Sequence, residues 1–276
     1  MKEVLGALLK DKVGRWGLFG VAFIILMALT ASSVAPYDPV HVNTQMRFSA
    51  PSSEYFMGTD YLGRDVFSRI LYGARVSIFV GLISVSIGAG FGFLIGIFSG
   101  YIGGRIDNLI MRFMDVLFAF PSILLALLIV SVLGSDIKNT MIAIGVVFIP
   151  VFTRTVRASV ITVKGMDYVQ NAKTVGVRPV WVVIRHIIPN TLSPFLVQIT
   201  LALSSAILTE STLSFLGLGI QPPNPSWGSM LSESRSLMEL APWTAVFPAV
   251  FIIITILSFN ILGDSLRDVL DPKLKI

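Results

Sequence analysis

Six apolar stretches, residues 16–35, 76–98, 115–133, 140–153, 191–215 and 243–262, dominate the chain. A run of about 20 apolar residues matches the ~30 Å hydrocarbon thickness of a bilayer, and inside lipid a helix satisfies every backbone polar group internally. The 276 residues are 54% hydrophobic and only 13% charged, about half the charge of a soluble domain. The expectation is an all-α polytopic membrane protein with six transmembrane helices. There is no cysteine, which excludes disulfides and thiolate metal sites. His41 and His186 are the only histidines and lie far apart in sequence, so no metal site is expected.

Lys2, Lys10, Lys12 and Arg15 precede the first apolar run. That run is long and no clear A-x-A site follows it, so it reads as a retained span and not as a cleaved leader. Six crossings place both termini on one side. Only Arg47, Arg64, Arg69, Arg75, Lys138 and Arg235 then fall on the opposite side, and the positive-inside bias assigns both termini to the cytoplasm. The net charge of +5 is thus a matter of orientation and does not suggest nucleic acid.

The longest polar interruption of the second half is DYVQNAKTVGVRPVWVVIRHIIPN, residues 167–190, within a loop spanning 154–190. Asp167 is predicted to cap a short helix and Gln170 to close a capping box, with Tyr168, Val169, Ala172 and Val175 on one face. Gly176 suits the cap that ends it. Pro179 is predicted to start a second short helix that runs through Trp181 and Ile184 to His186 and stops before Pro189. Neither helix is long enough to cross a bilayer. The pair reads as a handle for a partner in the cytoplasm, and an amphipathic helix lying unpartnered on the membrane is the plainer alternative.

Residues 36–74, punctuated by Pro36, Pro39 and Pro51, read as an external loop. Within it Gly58, Asp60, Gly63, Arg64 and Asp65 are spaced for a tight turn tied by carboxylate–guanidinium bonds. Gly81, Gly88, Gly90, Gly92 and Gly96 allow the second span to approach its neighbours closely. Residues 101–114 read as a tight cytoplasmic turn, in which Arg112 and Asp115 are spaced for an intrahelical pair. Pro121 should kink or start the third span, and Pro150 should interrupt the fourth.

The fifth span carries Gln198, Ser205, Thr209, Glu210 and Ser214, too polar a set to face lipid all round, so it faces a bundle interior or a wet path. A carboxylate at mid-bilayer costs about 2.5–3.5 kcal/mol, which makes Glu210 either a gate or path residue or a hydrogen-bonded latch at the outer end of that helix. Residues 216–228 read as an outer loop, and Asp264 and Arg267 as a helix-end ion pair.

These motifs carry a resemblance. FMGTDYLGRDVFSRILYGARVSI at 56–78 resembles the GTD-x-x-GRD-x-x-SR segment of dipeptide, oligopeptide and nickel permeases. Asp107, Arg112 and Asp115 are similar to that family's D-x-x-x-x-R-x-x-D. Glu210 with Ser214-Phe215 and LGLG resembles its E-x-x-L-S-F-L-G-L-G, and Asp264, Arg267, Asp268 and Asp271 stand in its G-D-x-L-R-D-x-L-D-P tail. Residues 170–189 resemble the EAA loop of ABC-importer permeases, with Gln170, Asn171 and Ala172 where that loop has Glu-Ala-Ala, Gly176 at its glycine and His186 and Pro189 in the closing H-x-x-P. Gln170 and Asn171 depart from the consensus residues. The resemblance implies the type I ABC importer permease fold, with residues 1–75 as tail, first span and external loop and 76–276 as a five-helix core.

The same resemblance implies a homologous permease, two ATPases and an extracytoplasmic binding protein as partners in a bacterial inner membrane, with the 167–175 helix docking in the ATPase. A G-x-x-x-x-G-K-[ST] loop is absent, so ATP and Mg belong to the partner ATPases and this chain holds no cofactor. No H-E-x-x-H or G-x-S-x-G occurs, and no catalytic residue is expected. Short peptides are the expected cargo, with nickel or a metal chelate as the alternative. An ion-gradient-driven secondary transporter is the other class, disfavoured by the lack of a visible repeat.

Overall fold

The structure is a computed structural model describing residues 2–270, and Asp271 of the tail motif lies outside them. Among the described residues the regular structure is helical. The helices are α1 Lys2–Lys10, α2 Lys12–Val34, α3 Val66–Ile102, α4 Gly104–Phe118, α5 Ser122–Leu133, α6 Ile137–Lys164, α7 Asp167–Thr174, α8 Pro179–Val182, α9 Ile188–Phe215, α10 Trp227–Ser234 and α11 Trp243–Leu270. A π-helical segment, Val183–Ile187, joins α8 to α9. Five helical segments are long and apolar enough to cross a membrane, and the α4–α5 pair makes a sixth crossing if its two arms count as one span.

Several boundaries differ from the hydropathy reading. α3 begins at Val66, inside the expected external loop, because Asp65 caps it by accepting from the Ser68 N–H at 2.8 Å. At 37 residues it is about 55 Å long, well over the bilayer thickness. The expected turn at 101–114 is mostly helix. α4 runs from Gly104 into the predicted third span, and α5 leaves it at 87° after a break at 119–121. Pro121 therefore starts a helix of only 12 residues. Pro150 does not interrupt α6, which continues through it to Lys164.

Pro189 likewise fails to end a helix. A proline at an α-helical position would clash with the carbonyl four residues back and leave it without a donor. The wider π turn at 183–187, in which the Ile188 N–H donates to the Val183 carbonyl, immediately precedes it. Pro179 to Phe215 is consequently one continuous helical rod.

The core is built on α3 against α6 and on α11 against α2 and α9. On α3, Gly88, Gly92 and Gly96, one per turn, pack against α6. A Cβ on Gly92 would meet the Phe152 side chain and the Ile149 carbonyl, and one on Gly96 would come within 2.8 Å of the Thr153 carbonyl. Gly90 faces open space, so only part of the expected glycine set makes the contact. Outward-facing Trp16, Phe19, Leu26, Leu94 and Val132 are exposed, as lipid-facing side chains are. At the N-terminus Asp11 separates α1 from α2, accepting from the Gly14 N–H at 2.7 Å and from the Ser265 hydroxyl of α11 at 3.1 Å.

Candidate functional site

Helix α7 is held by one side and left free on the other. Val169 is fully buried in a small cluster with Val156, Val160 and Val163 of α6 and with Val182 and Ile187. Burying that side chain contributes about 1.5–3 kcal/mol. Tyr168, Ala172 and Val175 recur at helical spacing on another face, with Val175 83% exposed and Ala172 half-buried. The predicted single face thus splits, because Val169 is rotated about 100° from Tyr168. Asn171 is exposed, and the His186 ring lies 6.1 Å from the Tyr168 ring.

The start of α7 also differs from expectation. Met166 is the N-cap and Asp167 the first helical residue, without a side-chain capping bond. Gln170 closes no capping box. Its amide donates to the Lys164 carbonyl at 2.6 Å and fastens α7 to the end of α6. A glutamate carboxylate has no proton to offer there, so the departure from the consensus has a local reason. The C-terminal end follows expectation. Gly176 has φ +85°, its N–H donates to Lys173 and the Val177 N–H donates to Ala172, which is a Schellman cap.

Beneath α7 the bundle end is cross-tied. Lys164 donates its ammonium to the Tyr101 carbonyl, and Arg157 grips Asp107 with two bonds of 2.6 Å. Asp115 pairs with Arg154 at 2.6 Å and not with Arg112, which is exposed and outside any ion pair among the described residues. Asp264 and Arg267 do not pair either; both are exposed, as is Asp268. Arg267 instead lines a groove of about 570 Å³ with Gln198, Asn190, Ser193 and Thr155.

Ser205 and Thr209 open on a different groove, about 380 Å³, against Phe120, Pro121 and Phe148. Glu210 faces neither. It is fully buried and accepts hydroxyl bonds from Ser77 of α3 at 3.0 Å and from Ser214 at 2.8 Å. Ser214 in turn accepts from the Ile220 N–H at 3.0 Å, so the carboxylate ties α3, α9 and the following loop together.

At the opposite end from α7, Asp60 accepts from Arg64 at 2.6 Å and from Arg69, and Glu233 of α10 accepts from Arg64 at 2.6 Å. Asp65 serves as a helix cap and not as an ion-pair partner. This quartet, buried except for the partly exposed Glu233, fastens the 36–65 segment to α10, while Trp227 donates its indole N–H to the Ile70 carbonyl at 3.1 Å. Local pattern could not find Glu233, which is 169 residues from Arg64 in sequence.

A family profile described as the binding-protein-dependent transport system inner membrane component matches residues 92–276. The chain belongs to that family. The profile of the N-terminal TM domain of oligopeptide transport permease C matches residues 1–51. Among its relatives, the dipeptide transport system permease protein of Alkalihalophilus pseudofirmus is 44% identical over 99% of this chain and 90% of its own length. The glutathione transport system permease protein of Pectobacterium atrosepticum is 45% identical over 94% of this chain and 86% of its own length. The fold is similar to a solved amino acid ABC transporter crystallised with histidines, with TM-score 0.55 and 15% identity over 73% of this chain and 92% of that one. This member of the family is a polytopic, all-helical inner-membrane permease.

Proposed function

We propose that the chain is the membrane-spanning subunit of an ATP-driven importer of short peptides, with both termini in the cytoplasm. The relatives named for dipeptide and glutathione transport support the cargo class. ATP and Mg are bound by two partner ATPases, and a homologous permease and an extracytoplasmic binding protein complete the assembly. This chain itself is not an enzyme.

The observation that carries the coupling role is α7, anchored by Val169 and Gln170 and offering Tyr168, Ala172 and Val175 outward. Closure of the ATPases on ATP would displace α7 and rock the spans between inward-open and outward-open arrangements. Coupling requires that the two arrangements bind ATP with different affinity. Gln198, Ser205 and Thr209 line the route, and Glu210 with Ser214 latches its outer end.

Uptake into vesicles holding the assembled transporter and internal ATP tests this reading. Labelled dipeptide should accumulate, and Gly176→Pro or Ala172→Arg should abolish uptake while membrane insertion persists, since one destroys the cap and the other places a charge on the docking face. Wild-type rates in both variants would refute the coupling role. Accumulation of Ni²⁺ in place of peptide would refute the cargo, and uptake by this chain alone under an ion gradient would assign it to secondary transport.

A further inference from the structure

Helices α3 and α4 leave an open apolar groove of about 820 Å³ between them, walled by Leu94, Ile95 and Phe98 on one side and Leu109, Ile110 and Phe113 on the other. Leu94, Leu109 and Phe113 are each more than 60% exposed. The groove lies at the bundle end that carries α7, because Lys164 reaches Tyr101 and Arg157 reaches Asp107 there. At that level the apolar run of α3 gives way to polar chain, which marks the boundary between hydrocarbon and water.

On α4, Arg105 stands four residues before the groove-lining Leu109 and Arg112 three residues after it, so both flank that side chain on one helix face. Seven residues apart, they point within about 20° of each other. Both are exposed, and among the described residues neither is in an ion pair. Among the described residues no acid pairs with either. α3 contains no Asp or Glu, Asp107 is buried against Arg157, and Asp115 is taken by Arg154. An apolar trough edged by two uncompensated guanidiniums complements an anionic amphiphile: the trough takes a hydrocarbon tail, and guanidinium is suited to a phosphate.

We propose that this groove is a binding site for an anionic phospholipid, with an acyl chain along Leu94–Phe98 and Leu109–Phe113 and the phosphate between Arg105 and Arg112. The site is independent of the cargo and of the ATPase contact. It gives the 87° break after α4 a lipid-facing consequence: α4 supplies the headgroup ligands at the membrane surface while α5 turns into the bundle.

The test is native mass spectrometry of the assembled transporter equilibrated with equal amounts of phosphatidylglycerol and phosphatidylcholine. Wild type should retain phosphatidylglycerol with roughly 30-fold preference, the factor expected of two surface guanidiniums. Arg105→Gln with Arg112→Gln should bring the preference to parity, Arg105→Lys with Arg112→Lys should keep most of it, and Leu109→Trp should reduce retention by filling the trough. Equal preference in wild type and the double Gln variant would overturn the site. So would efficient crosslinking of Leu109→Cys to another protein subunit in native membranes, since the groove would then be covered by protein.

Discussion

The Gln170 side chain donates to the main-chain carbonyl of Lys164, and Lys164 donates its own ammonium to the carbonyl of Tyr101. Three helices thereby meet through one residue: α7 through the carbonyl, α3 through the ammonium, and α6 as their common support. A displacement of α7 is met first by these bonds and by Val169.

Replacing Gln170 by Glu removes the donor and sets a carboxylate against a carbonyl. The loss of one hydrogen bond of about 1 kcal/mol should raise amide exchange over 167–174 about fivefold. Uptake per ATP hydrolysed should fall with it. Hydrogen-exchange mass spectrometry reads the first effect, and unchanged protection would show that the bond does not hold α7 in place.

The outer quartet should tolerate loss of a member poorly. Glu233→Gln leaves Arg64 and Arg69 to share Asp60 alone, and an uncompensated buried charge costs about 3 kcal/mol or more. Thermal unfolding of the purified transporter should shift down, and proteolysis of the 36–65 segment should quicken.

Two glycines on one helix provide a matched pair. Gly92→Ala forces a Cβ onto Phe152 and the α6 backbone, an overpacking worth about 1–3 kcal/mol, whereas Gly90→Ala meets nothing within 4 Å. Folded yield in membranes should drop for the first and stay at wild type for the second. Equal yields would mean that α3 and α6 are not as closely apposed as described.

Acid should loosen the α1–α2 junction. The Gly14 N–H, foremost among its partners, holds the Asp11 carboxyl below the usual carboxylate range. A depressed folded-state pKa gives stability that is present above the unfolded value and lost as pH falls through the folded one, here below about 4. A spin label on Leu9→Cys should gain mobility in that window. Asp11→Asn should remove the pH dependence, and Asp11→Ala should be mobile at every pH.

The sequence by itself determined the number and rough position of the apolar runs, the glycine stop at Gly176 and the Asp60–Arg64 tie, because each follows from composition or from residues a few positions apart. It placed the helix ends less well. Pro121 caps the start of a helix, while Pro150 and Pro189 sit inside helices, so a proline alone does not say whether the chain breaks there or continues. Only the tertiary structure decided that Asp115 answers Arg154, that Glu233 completes the outer quartet, that Glu210 is tied to Ser77 of α3, and that Val169 and not Tyr168 faces inward. These choices depend on which helix surfaces meet across long stretches of chain. Hydropathy fixes that a helix is buried in lipid or protein, but its rotation is set by the shape of the partner against which it packs.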